Sequence, residues 1–398
     1  MRERLLVISA DCHAAARWPD YEPYFEREHL DAFRRWYGAG DEKSQLRPGE
    51  GRLFATEFLD ALEVEEAVER GGRIGTWDPA LRAHELEADG IAGEVIFPGA
   101  ENFGVPFFGR SPVTNRVEPI GQALRAAGAR AYNRWLAELC AAHPGRRAGV
   151  AVVDFEDVAG AVSELRRARA AGLRGGLLLP SEWGELPSYN HPRYEPLWTA
   201  CEELAMPVNC HPTGSGRDAY GTLPGATAIF LTEIKWFAHR PLHHLLWSGV
   251  FERHPGLRFV LTEQMADWVP GELAYLDDLY ERPIFAQIRT GLPLRPSEYF
   301  RRQCALGASF MFRHEVEMRH QIGVEQLMWG SDYPHAEGTW PRTRETLAQV
   351  FHDVRDAELE AMLGGNAARL YGFDPALLRP IAERVGPERG AWLAAASA

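Results

Sequence analysis

The sequence predicts an α/β fold in which eight strands and their helices form a (β/α)8 barrel. Short apolar runs alternate with helical patterns, which indicates βαβ units around a parallel sheet buried on both faces. Eight such runs occur, and eight is the strand number of this barrel. No GxGxxG or Walker pattern follows the first run, so nothing favours an open nucleotide-binding sheet.

The strands and helices can be placed from these runs in chain order. The predicted strands are Leu5–Ser9, Gly93–Phe97, Ala148–Val153, Gly175–Leu179, Pro207–Cys210, Phe259–Thr262, Cys304–Ala308 and Gln326–Gly330. The helical patterns are Pro79–Asp89, Gly121–His143, Val158–Ala171 and Tyr194–Leu204. Asp is a favoured N-cap and Pro a favoured first helical residue, so Asp78 is predicted to start the first of these helices.

Three connections are too long for simple turns and are predicted to be insertions. They cover residues 14–78, 212–255 and 267–300, after strands one, five and six. Loops that follow barrel strands line the substrate site, so we expect these insertions to build a pocket lid or a subunit interface. We expect one domain over residues 1–398, with a core at about 5–374 and a C-terminal helical extension and tail at 375–398.

Composition excludes several classes of partner. The formal net charge of −13 disfavours non-specific binding to nucleic acid or to anionic membranes. Five cysteines without a CxxC pair fit a reduced compartment. No apolar stretch approaches the roughly 20 residues of a membrane span, and the apolar start is too short for a signal peptide. We therefore expect a cytoplasmic protein that acts on a small molecule.

Potential metal ligands follow or end several of the predicted strands. Asp11 and His13 follow strand one, His211 follows strand five, Glu263 follows strand six and Asp332 follows strand eight. Barrel enzymes place their chemistry on this rim, and a mixed nitrogen and oxygen donor set suits zinc, manganese or iron rather than calcium.

Each of these residues also has a structural interpretation. Asp11 and His13 could be a turn aspartate and a buried histidine, and His211 a hydrogen-bonded structural residue. Asp332 could make an Asx turn before Pro334. Glu263 could pair with an arginine such as Arg258 or Arg217. The metal interpretation is favoured because all of these residues fall on one rim.

Seven segments together resemble a known family. They are Ser9–His13, Gly75–Pro79, Asp89–Pro98, Cys210–Gly214, Leu261–Glu263, Met328–His335 and Gly365–Asp374. They look like the amidohydrolase-related proteins (amidohydrolase family 2) of the metal-dependent hydrolase superfamily, in the branch that includes aminocarboxymuconate semialdehyde decarboxylase. The resemblance implies a distorted TIM barrel and often a homo-oligomer such as a dimer.

By this resemblance Asp11, His13, His211 and Asp332 hold one divalent metal ion, with zinc expected first and manganese or iron as alternatives. The fourth predicted strand has no lysine that could bridge two ions. The sequence departs from the family pattern in two places. Asp11 stands where relatives carry His or Glu, and Glu263 stands where the decarboxylases carry a His.

Three functions fit these residues. The leading expectation is hydrolysis of an amide, lactone or related bond by a metal-activated water, with Asp332 accepting the proton and Glu263 orienting the water or protonating the leaving atom. The alternative is decarboxylation of an aromatic or unsaturated acid, and the third is a non-catalytic barrel that binds a small acid. His335 and Arg217 are predicted to bind substrate, with Arg110 and Arg240 as further candidates for its carboxylate.

Overall fold

The computed structural model describes residues 4–44, 74–99, 104–108, 120–180, 186–212, 225–335 and 337–388. Eight parallel strands follow one another around a nearly closed barrel in chain order. Their bounds are β1 Ile8–Ala14, β2 Gly93–Pro98, β3 Arg147–Ala151, β4 Gly176–Leu179, β5 Val208–Cys210, β6 Phe259–Thr262, β7 Cys304–Ser309 and β8 Leu327–Gly330. The predicted fold class, a (β/α)8 barrel, is confirmed.

The first strand lies later in the chain than the sequence pattern predicts. The pattern predicts Leu5–Ser9, whereas the strand runs over Ile8–Ala14. The apolar pattern stops at the first charged residue, but the strand continues through Asp11 and His13 because both side chains are buried. The two residues therefore belong to the strand itself. The other seven strands begin within one residue of their predicted starts.

Helices occupy the predicted positions between strands and several positions inside the long connections. The α-helices are Arg27–Ser44, Pro79–Ala88, Gln122–Ala141, Val158–Ala170, Glu195–Glu203, Ala226–Trp247, Val250–Arg253, Val269–Glu281, Pro296–Gln303, Arg313–Glu317, Arg319–Ile322, Thr343–Phe351, Asp356–Glu360, Asn366–Tyr371 and Pro375–Val385. Asp78 caps its helix as predicted, because its side chain accepts the backbone N–H groups of Ala80 and Leu81 at 2.9 and 2.8 Å. The part that the long connections play in substrate choice stays a prediction.

The contact between β8 and β1 closes the barrel. Asp332 donates its backbone N–H to the Asp11 carbonyl at 2.9 Å, and His13 donates to the Tyr333 carbonyl at 2.7 Å. Gly330 permits this approach, since a Cβ there would lie 2.8 Å from the Cβ of Asp11. The closing contact therefore involves the backbone of three predicted site residues.

A buried ion-pair network lies beneath this contact. Glu94 on β2 accepts hydrogen bonds from Arg82 at 2.6 Å and from Arg147 at 3.0 Å. Arg82 also donates to the His13 carbonyl at 2.8 Å, and its guanidinium lies 4.9 Å from the centre of the Tyr333 ring. All three charged side chains of the network are at most 4% exposed. The network thus links β1, β2 and the loop after β8.

Across the described segments of the chain, no helix combines the length and the apolar character that crossing a bilayer requires.

Replacing Glu94 by Gln is expected to lower the free energy of unfolding by about 3–5 kcal/mol, because two buried guanidinium groups would lose the carboxylate that pairs with both of them. Chemical denaturation monitored by circular dichroism measures the change. The control is Glu203→Gln in the exposed pair with Arg166, whose side chains are 50% and 52% exposed; that loss should stay below about 1 kcal/mol. Equal effects in both variants would contradict the buried network.

Asp89→Asn is expected to stabilise the protein at neutral pH. Burial raises the pKa of Asp89 to about 6, although the Thr343 N–H bonded to its side chain opposes the shift. The unfolded state ionises first, so the wild type loses stability as pH rises from about 4 to 6 and keeps that deficit above pH 6. The variant should gain about 3 kcal/mol at pH 7.5 and little near pH 4, measured as the shift in melting temperature. A gain that does not change with pH would refute this assignment.

Candidate metal centre

The carboxyl ends of four strands bring the predicted ligands together. Asp11 and His13 lie in β1, His211 follows β5, Glu263 follows β6 and Asp332 lies two residues beyond β8. Four of these five side chains are buried, and Glu263 is the exception. This is the rim on which barrel enzymes carry their active sites.

The donor atoms of these residues converge on a small volume. Asp11 Oδ1 lies 3.4 Å from His13 Nε2 and 3.6 Å from His211 Nε2. His211 Nε2 lies 3.2 Å from Glu263 Oε2. One donor atom from each of these four residues falls within 4.8 Å of the others, which is a spacing that one ion can span.

Asp332 also approaches Nε2 of His13. Its Oδ1 is 3.3 Å from His13 Nε2 and 2.9 Å from Nδ1 of His335, with which it forms a hydrogen bond. His13, Asp332 and His335 form a second donor group, and Glu263, Asp332 and Glu337 form a third. Asp332, the fourth predicted ligand, thus shares a donor group with His13 and another with Glu263, whereas Glu263 is the residue grouped with Asp11, His13 and His211.

Several buried polar atoms in this cluster make no hydrogen bond to the described residues. They are Asp11 Oδ1, both ring nitrogens of His13 and Asp332 Oδ2. A buried polar atom without a partner costs about 1–3 kcal/mol, so such atoms rarely converge unless a ligand satisfies them. Carboxylate oxygens and imidazole nitrogens in this arrangement fit a divalent cation.

Neighbouring serines orient the Asp11 carboxylate and its strand. Ser309 donates its hydroxyl to Asp11 Oδ2 at 2.5 Å, which leaves Oδ1 facing the histidines. Ser9 donates to the Asp11 carbonyl at 2.6 Å and accepts the Ser331 N–H at 2.8 Å. Ser309 was not identified from the sequence, although its position directly after the seventh predicted strand was a usable signal.

Two of the acids have an unusual backbone conformation. Glu263 and Asp332 have φ angles of 56° and 59°, in the left-handed region that non-glycine residues rarely adopt. Hydrogen bonds from their backbone N–H groups hold them there, Glu263 to the Gly307 carbonyl at 2.8 Å and Asp332 to Asp11. Strain of this kind concentrates at functional sites.

Burial and neighbouring charges set opposite protonation tendencies on the acids. Burial alone would raise the pKa of Asp11, but the nearby imidazole rings of His13 and His211 outweigh it and hold the pKa below its usual range. Burial likewise opposes ionisation of Asp332, yet His335 and His13 lower its pKa. For Glu263, burial and the negative charges of Asp332 and Asp11 act together and raise the pKa well above its usual range.

The histidines respond to the same charges. Burial lowers the pKa of His13, but Asp11 and Asp332 outweigh burial and raise it to about 10 in the absence of a bound cation. The pKa of His335 is raised to about 9, because Asp332 outweighs burial. Burial instead keeps the pKa of His211 below its usual value. A bound cation requires neutral imidazole ligands, so binding would displace the proton of His13.

The remaining predicted residues have mixed outcomes. His335 packs against His13 with ring centres 4.1 Å apart and bonds Asp332, so it lies at the centre. Arg217 and Arg110 lie outside the described residues. Arg240 lies on the helix Ala226–Trp247, 5.6 Å from the Phe237 ring centre.

Two further points differ from expectation. Arg258 precedes β6 and is separated from Glu263 by the whole strand, so the suggested pairing between them does not occur. Glu337 was not identified from the sequence, although it follows His335 by only two residues and joins Glu263 and Asp332 in a donor group.

Comparison with known proteins gives consistent matches. The amidohydrolase family model matches residues 107–373. The gamma-resorcylate decarboxylase of Rhodococcus jostii (strain RHA1) is 32% identical over 279 residues, which are 65% of this chain and 80% of that enzyme. The enzyme of the same name from Rhizobium sp. (strain MTP-10005) is 28% identical over 265 residues, covering 62% of this chain and 77% of that enzyme.

Solved structures share the fold at lower identity. The 5-carboxyvanillate decarboxylase of Sphingomonas paucimobilis superposes with a TM-score of 0.65 at 20% identity, over 93% of this chain and all of that chain. A dihydroxybenzoic acid decarboxylase from Polaromonas sp. JS666, determined with bound manganese and an inhibitor, gives a TM-score of 0.61 at 18% identity, over 94% and 97%. These similarities support the barrel fold.

The expected hydrolysis of an amide or lactone is wrong as the main interpretation, because the matched curated relatives are named as decarboxylases. The physical reason is that both reactions use an ion on this rim and a carboxyl group that carries a proton, so the ligand motifs do not distinguish them.

The expected family is confirmed. With its barrel fold, its rim of acid and histidine donors and the family match over residues 107–373, this protein belongs to the amidohydrolase family.

Proposed function

We propose that this enzyme removes carbon dioxide from a hydroxylated benzoic acid without oxidation. The observation that carries the proposal is the 32% identity to a gamma-resorcylate decarboxylase across four fifths of that enzyme. In such a reaction the bond between the ring and its carboxylate breaks, and a proton takes the place of the carboxylate. The site must therefore bind an anionic acid and deliver one proton to carbon.

Asp11, His13, His211 and Asp332 are proposed to hold one divalent ion. When bound, the ion supplies positive charge that attracts the substrate carboxylate and adjacent oxygen atoms. Two carboxylates among the ligands favour a harder ion, and the manganese bound to the Polaromonas decarboxylase supports manganese over the zinc that we expected first. Iron remains the third candidate for elemental analysis.

Glu263 is proposed to carry the proton. The missing strand-six histidine weakens the decarboxylase interpretation on sequence grounds, but burial and the neighbouring carboxylates raise the pKa of Glu263 well above its usual range, which favours the protonated form that a proton donor needs. Its carboxyl group lies within 4.8 Å of those of Asp332 and Glu337. Glu263 would give its proton to the ring carbon, directly or through Asp332, and regain one from solvent after carbon dioxide leaves.

His335 and Arg217 remain our proposed substrate-binding residues, and His335 also steadies the ionised Asp332 through their 2.9 Å hydrogen bond. Homo-oligomerisation and a cytoplasmic location remain proposals as well.

The metal-loaded protein should convert 2,6-dihydroxybenzoate, the substrate of a structural neighbour, to a phenol and one equivalent of carbon dioxide. Headspace carbon dioxide and chromatography of the phenol measure this. The matched control is 3,5-dihydroxybenzoate, whose hydroxyl groups cannot stabilise protonation of the carboxyl-bearing carbon. The proposal would be contradicted if the metal-loaded protein released carbon dioxide from none of the hydroxybenzoates.

Two substitutions should separate metal binding from proton delivery. Glu263→Gln should retain its metal and lose about 10²- to 10⁴-fold in kcat, since a carboxamide cannot donate an acidic proton. Asp332→Asn should lose both turnover and metal affinity, because its carboxylate is a proposed ligand. Elemental analysis and steady-state kinetics on the same preparations distinguish the two patterns.

Glu272→Gln serves as the control, since Glu272 is a partly buried carboxylate paired with His243 outside the donor cluster. It should keep its metal and its turnover. Loss of metal in Glu263→Gln would reassign Glu263 as a ligand, and full turnover in that variant would remove it from proton transfer.

A further inference from the structure

A cleft of about 510 Å³ lies at the end of the barrel opposite the metal centre. Its lining includes Pro207, Arg258, Cys304 and Gln326, which lie at or just before the first residues of β5, β6, β7 and β8. The strands between cleft and metal centre are about four residues long, so roughly 13 Å separates the two. Its volume falls within the roughly 300–1,000 Å³ of small-molecule sites.

The cleft concentrates positive charge on an acidic protein. Four arginines from three separate segments line it, against the single carboxylate of Glu325: Arg258, Arg301, Arg302 and Arg369. Within the described part of the chain, Arg258, Arg301 and Arg369 form no ion pair, and Arg302 lies 3.7 Å from Glu252. On a chain with a net charge of −13, four guanidinium groups of which only Arg302 has an ion-pair partner among the described residues fit an anionic partner.

Backbone carbonyls hold three of the arginines in place. Arg369 donates to the Glu325 carbonyl at 2.9 Å, and Arg302 donates to the Phe251 carbonyl at 2.6 Å. Nη1 of Arg258 lies 3.2 Å from the carbonyl of Pro255. A guanidinium has five N–H donors, so these bonds orient each group and leave donors for a ligand.

Apolar side chains also contribute to the lining of the cleft. Met206 and Cys304 are buried side chains in its lining, and Leu370 is partly buried beside them. A site lined by both apolar side chains and guanidinium groups suits an organic body that carries several anionic oxygens, because guanidinium forks match carboxylate and phosphate geometry.

We propose that this cleft is a second binding site, separate from the metal centre, for a small organic polyanion whose carboxylate or phosphoryl oxygens contact Arg258, Arg301, Arg302 and Arg369. The proposal does not depend on the reaction at the metal centre.

Isothermal titration calorimetry of the full-length protein tests it with two probes, pyrophosphate and benzene-1,3,5-tricarboxylate. At least one probe should bind with one site per chain and a Kd below about 1 mM, and added salt should weaken it. Binding of only one probe supports the proposal and identifies the anionic group. The double variant Arg301→Gln/Arg369→Gln should bind at least about tenfold more weakly, which corresponds to about 1.4 kcal/mol.

Two controls keep the result decisive. Arg35→Gln removes one exposed arginine from the helix Arg27–Ser44 and should leave the Kd unchanged. His211→Ala should also bind normally, since these probes could otherwise act on a metal ion. The single variants Arg301→Gln and Arg369→Gln are measured too, in case the double variant does not fold. No binding by wild type, equal binding by the arginine variants, or loss of binding in His211→Ala overturns the proposal.

Discussion

The contact of β1 with the end of β8 and the two residues Asp332 and Tyr333 beyond it is the one on which the candidate metal centre depends. Backbone hydrogen bonds join Asp332 to Asp11 and His13 to Tyr333, so the same contact that closes the barrel also brings two acids and a histidine together. The absence of a side chain at Gly330 allows the two strands to approach. The Arg82 guanidinium reinforces the arrangement from below, since it binds Glu94 and the His13 carbonyl at once. Fold and site therefore share their closing contacts.

Burial and neighbouring charges then give different pKa values to acids that the sequence alone does not distinguish. Asp11 and Asp332 each have a histidine within reach, and the positive partners outweigh the cost of burying a carboxylate. Glu263 lies among the other acids, so burial and repulsion both favour its neutral form. A cluster of like charges in a low-dielectric site separates the pKa values of its members, and this separation supports the distinct ligand and proton-donor roles that we propose.

The two ends of the barrel differ in chemistry because different residue types stand at the start and at the end of each strand. His211, Glu263 and Ser309 occupy the carboxyl ends of β5, β6 and β7, whereas Arg258 and the arginines of the helix Pro296–Gln303 precede β6 and β7. Each of these strands thus has an acid, a histidine or a serine at one end and the basic cleft at the other. The strands keep the two sites apart by their own length.

The sequence by itself predicted the barrel, seven of its strand starts and the helix cap at Asp78, because strand periodicity and capping are local properties of the chain. It also predicted that acids and histidines would meet at one rim, and the structure brings them close together, while their roles as ligands remain our proposal. It misplaced β1, since a buried aspartate and histidine within a strand look like its end. Only the tertiary structure decided which acids touch which histidines, that Ser309 and Glu337 belong to the centre, and that four arginines meet at the opposite end. These contacts join residues up to about three hundred positions apart, such as Ser309 and Asp11, so the spacing of residues along the chain does not predict them.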